Sequence, residues 1–248
     1  MLACGVLYVV GVYLRGQGDP AADLVLAVAS LASASLILSP AQYPAVAAGR
    51  PLVDAALAAA DAALGVHVPA LAAWTRGHPL LSSLLTAAYF SLLPQLVLTP
   101  AVLVWYRRHD RLREYLFHFH LCAGVTVAML ALFPAACAFQ YYGFESVLDQ
   151  RRFIAQFNAL RAGAPPVIGF GDLEGLISVP SFHAAGGLMC AWAVRGLRPA
   201  AASLALNAAL LAATVMTGAH YLVDVPVTAA LFATSVAAWR LLARRPPS

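Results

Sequence analysis

The 248 residues are 62% hydrophobic and only 10% charged, where an ordinary soluble domain carries about 25% charged residues. A net charge of +4 comes entirely from arginine on the basic side, and those arginines are dispersed among apolar runs, which argues against a nucleic-acid-binding stripe. Four cysteines (Cys4, Cys122, Cys137, Cys190) lie inside apolar segments without CxxC spacing, which argues against a disulfide framework or a thiolate metal site.

The composition predicts an all-α, multi-pass membrane protein, since several apolar runs approach the ~20 residues that span a bilayer. Residues 1–14 read as a short extra apolar helix, with 1–22 as an N-terminal segment and 23–245 as one transmembrane domain. The first full span is 23–39, ended by Ser39-Pro40. A connector, 40–78, contains a helix bracketed by Pro51 and Gly65, an arrangement that suits a helix start and stop. Its Asp54 and Asp61 are seven apart and share a face, so it reads as an interfacial brace. Spans then follow at 79–106 and 115–138, separated by a basic loop at 107–113. A polar connector, 139–180, leads to three last spans at 181–195, 199–216 and 219–242, giving a six-helix bundle.

Arginine placement orients such a bundle. The loop at 107–113, the turn holding Arg195 and Arg198, and the C-terminus with Arg240, Arg244 and Arg245 are expected on the cytoplasmic side, with Trp105, Trp192 and Trp239 beside them as a belt. Both long connectors then face outward, and so do the starts of the segments near Ser181 and Ala219.

Those two starts carry the chemistry. Val179-Pro180-Ser181-Phe182-His183 places a histidine at a helix start with Ser181 as its capping hydroxyl, and Thr217-Gly218-Ala219-His220-Tyr221-Leu222-Val223-Asp224 places His220 four residues ahead of Asp224. On a helix that spacing stacks the two side chains on one face. A carboxylate on one ring nitrogen leaves the other free as nucleophile or base. Helix N-termini suit a phosphate. The expected reaction is therefore phosphoryl transfer, with His220 attacking phosphorus, Asp224 fixing its tautomer, and His183 serving as acid and then base. Ser181 and backbone N–H groups would cradle the phosphate, and Arg161, Arg152 and Arg151 of the outward connector would supply positive charge, Arg161 first. No metal or cofactor is called for. His118 and His120, two apart, point in different directions and read as structural, as does Asn207, which suits helix–helix contact. His67, His78 and His109 fall in connectors and read as solvated.

Pro180-Ser181-Phe182-His183 and Gly218-Ala219-His220-Tyr221-Leu222-Val223-Asp224 resemble the second and third motifs of the type 2 phosphatidic acid phosphatase superfamily. The resemblance runs through roughly residues 50–240, and is greater to the branch of inositol phosphorylceramide synthases and their bacterial relatives. It implies a six-helix bundle with His220 as nucleophile, Asp224 as its partner and His183 as acid/base, needing no metal. The chain departs from the phosphatase pattern in having no lysine, hence no Lys-x6-Arg-Pro motif, and in having Thr214 where an arginine is expected six residues before His220. Both departures match the synthase-like branch.

Two other readings compete. His183, His220 and Asp224 could ligate a catalytic metal, although no HExxH occurs. A lipid transporter could also hold buried polar groups, although the cluster sits toward one face and no inverted repeat is evident. The expected partners are the bilayer and a lipid phosphate, among them phosphatidic acid, phosphatidylglycerol phosphate, polyprenyl diphosphate or phosphatidylinositol, with transfer to water or to an alcohol both open.

Overall fold

The computed structural model describes residues 2–164 and 169–243, and every regular element among them is helical. Arg244 and Arg245, assigned above to the cytoplasmic side, lie outside the described residues. In chain order the helices are α1 (Leu2–Gly16), α2 (Ala22–Ala47), α3 (Asp54–Ala63), α4 (Val68–Arg76), α5 (Pro79–Phe90), α6 (Leu92–Trp105), α7 (His109–Leu132), α8 (Ala138–Tyr142), α9 (Arg151–Arg161), α10 (Phe182–Ala193), α11 (Ala200–Met216) and α12 (Asp224–Ala243).

Helix α10 is the axis of the bundle, packed against α6, α7, α11 and α12. Its sequence explains the position. Gly186 brings its backbone so near Leu92 of α6 that a Cβ there would lie 2.5 Å from a methyl carbon, and Gly187 does the same against Asn207 of α11 at 3.1 Å. Small residues let helices approach closely where lipid offers no hydrophobic drive. Ala185, Met189, Cys190 and Ala193 of the same helix join Phe119, Cys122 and Phe232 in the largest buried apolar cluster. Asn207 donates to Gln95 at 2.8 Å, a polar tie between α11 and α6.

Several boundaries differ from those expected. Helix α2 continues through Pro40 and Pro44 to Ala47, and Gln42 in that extension accepts the Leu176 N–H at 2.6 Å. Proline is tolerated in such helices because neighbouring groups take up the freed backbone. The 79–106 run is two helices meeting at a 51° bend, and α3 and α4 meet at 80°. Helix α7 begins at His109, inside the stretch read as a basic loop.

By length and composition three helices (α2, α7, α12) could cross a membrane, or up to five spans if each bent pair counts as one. The sixfold count is not reached because α10 and α11 have 12 and 17 residues. The segments feeding the last part of the bundle are irregular but buried: Val179 and Ser181 before α10, and Ala219, His220 and Tyr221 before α12, are each at most 7% exposed. Irregular backbone at depth is permitted where protein covers it.

The arginine-rich turns do gather at one end. Arg195 pairs with Glu114 of α7 at 2.8 Å, Arg111 donates to the Arg195 carbonyl, and Arg240 lies 5.9 Å from the Trp192 ring. His118 is turned to Ser235 at 2.6 Å while His120 is turned to Ser30 at 3.2 Å, the divergence their spacing predicted. The opposite end of the bundle holds both histidine motifs and the connectors around them.

Candidate active site

The α12 helix begins at Asp224, so His220 lies in the loop ahead of it, not within its first turn. The two still meet, at 3.1 Å between His220 Nδ1 and Asp224 Oδ2. Helical stacking does not bring this about. The loop curls back until Asp224 Oδ2 also accepts the Tyr221 N–H at 3.2 Å, and the His220 N–H donates to the Thr214 carbonyl at 2.9 Å. Gly218 makes the turn at φ +84°, a region that only glycine enters readily. Its open α-carbon faces the ring of Phe144, which a Cβ would meet at 2.5 Å.

His220 Nδ1 also lies 3.1 Å from the Ser178 carbonyl. Two acceptors at one nitrogen require that nitrogen to carry the proton, leaving Nε2 with the lone pair. Nε2 is 3.2 Å from Ser181 Oγ. The serine oxygen accepts the Ala184 N–H at 3.3 Å, so it caps α10 as its position in the sequence predicted, and its own proton is available to His220. Ser181 is held in turn by its N–H, which donates to Thr228 Oγ1 at 2.9 Å. Thr228 is one turn into α12 from Asp224, so the second motif's helix positions the first motif's serine. His183 follows two residues later in the first turn of α10. Its ring lies almost parallel to that of Tyr89 from α5, with centroids 4.1 Å apart, and its Nδ1 is 3.3 Å from the tyrosine hydroxyl.

The brace helix α3 turns its acidic face inward. Asp61 Oδ2 accepts the Leu222 N–H and Oδ1 the Val223 N–H, both at 2.9 Å. Asp54 accepts from Tyr221 Oη at 2.8 Å and from the Ala136 N–H at 2.8 Å. Both carboxylates are almost wholly buried. The start of α12 is therefore occupied by Asp61, which corrects the expectation that two helix N-termini share an anion. The α10 start remains, where the first-turn N–H groups of Phe182 and His183 have no partner within the helix.

The structure thus joins Ser181, His220 and Asp224 by direct contacts and sets His183 two residues beyond Ser181, at the start of α10. The three connector arginines bond elsewhere. Arg161 donates to the Arg50 carbonyl at 2.6 Å, Arg151 pairs with Asp149 at 2.6 Å, and Arg152 lies 3.7 Å from Asp172. Arg151 holds the exposed Asp149 carboxyl down at about 2. A strap over the loop that carries His220 comes from the same connector: the Val147 N–H and Ser146 Oγ both bond the Thr217 carbonyl, at 2.9 and 2.8 Å.

Sequence reasoning missed Tyr89 and Thr228, which sit in apolar runs with no spacing signal, and the Ser178 carbonyl, which no side chain announces. For Asp54 and Asp61 the shared face was legible, but not its target. Among the described residues no cluster of three His, Cys, Asp or Glu side chains is arranged to hold a metal ion.

Neither the curated proteins nor the solved structures gave a match to this chain. A family model does match, over residues 55–238, a stretch that includes Asp61 and the rest of α3 after Asp54, both histidine motifs and most of α12. With that span matched, this helical membrane protein belongs to the PAP2 superfamily, a superfamily of phosphatase-type enzymes.

Proposed function

We propose that the protein is a lipid phosphatase or phosphotransferase that works through a phosphohistidine at His220, in the manner of the synthase-like branch of its superfamily. The observation that carries this reading is the single chain of contacts Asp224–His220–Ser181, which ends at the helix start bearing His183. In the first step His220 Nε2 bonds to phosphorus as the bond to the leaving oxygen breaks, and His183 gives that oxygen its proton. In the second, neutral His183 takes a proton from water or an alcohol, whose oxygen bonds to phosphorus as the P–N bond breaks.

Asp224 supports the positive charge that forms on His220. Its Oδ2 already faces the ring, and in a buried setting such a fixed charge acts strongly. Ser181 and the first-turn N–H groups of α10 receive the phosphoryl oxygens. The arginine-bearing end of the bundle faces the cytoplasm by the positive-inside rule, so the site opens on the outer side. Arg161, Arg152 and Arg151, on the outward connector beside the site, act on the approaching headgroup after exchanging their present partners.

The test is a panel of phosphatidic acid, phosphatidylglycerol phosphate, polyprenyl diphosphate and phosphatidylinositol, offered to purified protein with and without alcohol acceptors. Phosphate release or headgroup transfer from one of them, abolished in His220→Ala, is the expected result. Full turnover in His220→Ala would refute the assignment. Inhibition by vanadate without sensitivity to chelators is expected, and the reverse pattern would favour a metal.

A further inference from the structure

The two histidines are supported differently. His220 has a carboxylate, whereas among the described residues no carboxylate hydrogen-bonds His183. What His183 has is an aromatic face. The Tyr89 and His183 rings are inclined by only 17° with centroids 4.1 Å apart. Resting on the phosphohistidine reading, we propose that Tyr89 is a positioning residue for His183 and that its ring face, not its hydroxyl, is the working part, favouring the imidazolium that must protonate the leaving oxygen.

The geometry decides between ring and hydroxyl. A lone pair on Nδ1 points outward in the plane of the imidazole. A tyrosine ring nearly parallel to that plane holds its hydroxyl above or below it, away from the lone pair. The O···N separation of 3.3 Å is also long for a hydroxyl donor, which usually sits about 2.7–2.8 Å from an oxygen acceptor. A cation within about 6 Å of an aromatic centroid, over its face, is attracted by the ring quadrupole, more so when water is excluded.

Tyr89 is well fixed for this. It is 8% exposed and packs with Leu85, Leu148, Ala213 and Ala219, the last being the neighbour of His220. Phe90 meets it edge-on at 5.5 Å. The one ring therefore braces the loop of the second histidine motif and stacks on the histidine of the first.

Other charges around His183 do not take over this role. His220 faces it from the loop before α12, with Asp224 behind, and protonation of His220 would repel the imidazolium. Burial keeps the Cys137 thiol protonated, so it adds no charge, and Glu174 of the connector reaches only Tyr89, from a distance. Helices α6 and α11 contribute no titratable side chain, and Glu114, His118 and Arg195 belong to the opposite end of α10.

The experiment follows the ring nitrogens of His183 by 15N NMR as pH is varied in nanodisc-embedded protein. It compares wild type, Tyr89→Phe, Tyr89→Leu and replacements of Tyr89 by increasingly fluorinated phenylalanines. Fluorination drains the ring face with little change of shape, so folding is retained even if the leucine variant is lost. The midpoint in Tyr89→Phe should match wild type, and should fall steadily with fluorination by up to roughly one pH unit. The alkaline limb of kcat/KM on the lipid substrate should move with it. A midpoint unchanged through the series, or one moved as far by Tyr89→Phe as by Tyr89→Leu, would overturn the inference. The NMR titration needs no substrate, so a fluorination shift in a protein that turns over no lipid phosphate would sink the phosphohistidine reading while leaving the ring contact standing.

Discussion

Ser181 Oγ lies 3.2 Å from Nε2 of His220, the nitrogen that bears the lone pair. This contact joins motifs almost forty residues apart and puts the capping hydroxyl of α10 beside the nitrogen proposed to attack phosphorus. Ser181→Ala removes a helix cap worth about 1 kcal/mol and a donor to the developing phosphoryl charge, so kcat should fall by about 10²-fold. Residual turnover at that level in steady-state assays is the expected result. Loss as complete as that of His220→Ala would mean that the serine itself forms the covalent bond.

Asp61, itself buried, holds the loop from behind through two part-buried backbone contacts. Hydrogen bonds to charged groups contribute about 1.5–3 kcal/mol each. Asp61→Ala should therefore lower the thermal midpoint in detergent markedly and reduce kcat, since Leu222 and Val223 connect His220 to Asp224. Asp61→Asn, which keeps one acceptor, should fall between. Wild-type stability and kcat in Asp61→Ala would show that α3 is a passive brace.

Gly218 is needed twice, for its positive φ and for the space taken by Phe144. Gly218→Ala should sharply reduce activity by displacing His220. Adding Phe144→Ala removes the severe clash but leaves a tight approach to Ala72 Cβ at 3.2 Å and the backbone strain, about 1–2 kcal/mol, so the double variant should recover part of the lost kcat. No recovery would show that the remaining strain and contact are at fault.

Burial pushes the Glu174 carboxyl above its usual range, against the opposing pull of Arg152. A raised carboxyl binds its proton more tightly folded than unfolded. Its contribution is intact below the unfolded pKa and is lost as pH rises through the folded one. Glu174→Gln should therefore raise the thermal midpoint at pH 7–8 and leave it unchanged near pH 4. An equal effect at both values would exclude titration as the cause.

Much of this site can be read from residue types alone. His183, His220 and Asp224 stand out because ionisable groups in apolar segments are rare, and Ser181 because it precedes a helix. What escapes is whatever depends on tertiary routing. The four-residue spacing of His220 and Asp224 suggests a helix, yet the contact is made by a loop that Gly218, Thr214 and Asp61 shape together. Tyr89 looks like any aromatic in a lipid-facing run until the bend near Ser91 lays α5 against α11 and brings the Tyr89 ring onto His183. The span count is legible only to between three and five for a related reason: hydropathy cannot tell a helix from buried irregular chain, and both motifs begin as the latter.

The most direct measurement is to quench turnover of a 32P-labelled lipid phosphate and map the labelled peptide. The account predicts phosphate on His220, labile in acid and stable in alkali, absent from His220→Ala and accumulating when the second step is slowed. An acid-stable label on Ser181, or turnover with no covalent label under any quench, would contradict it.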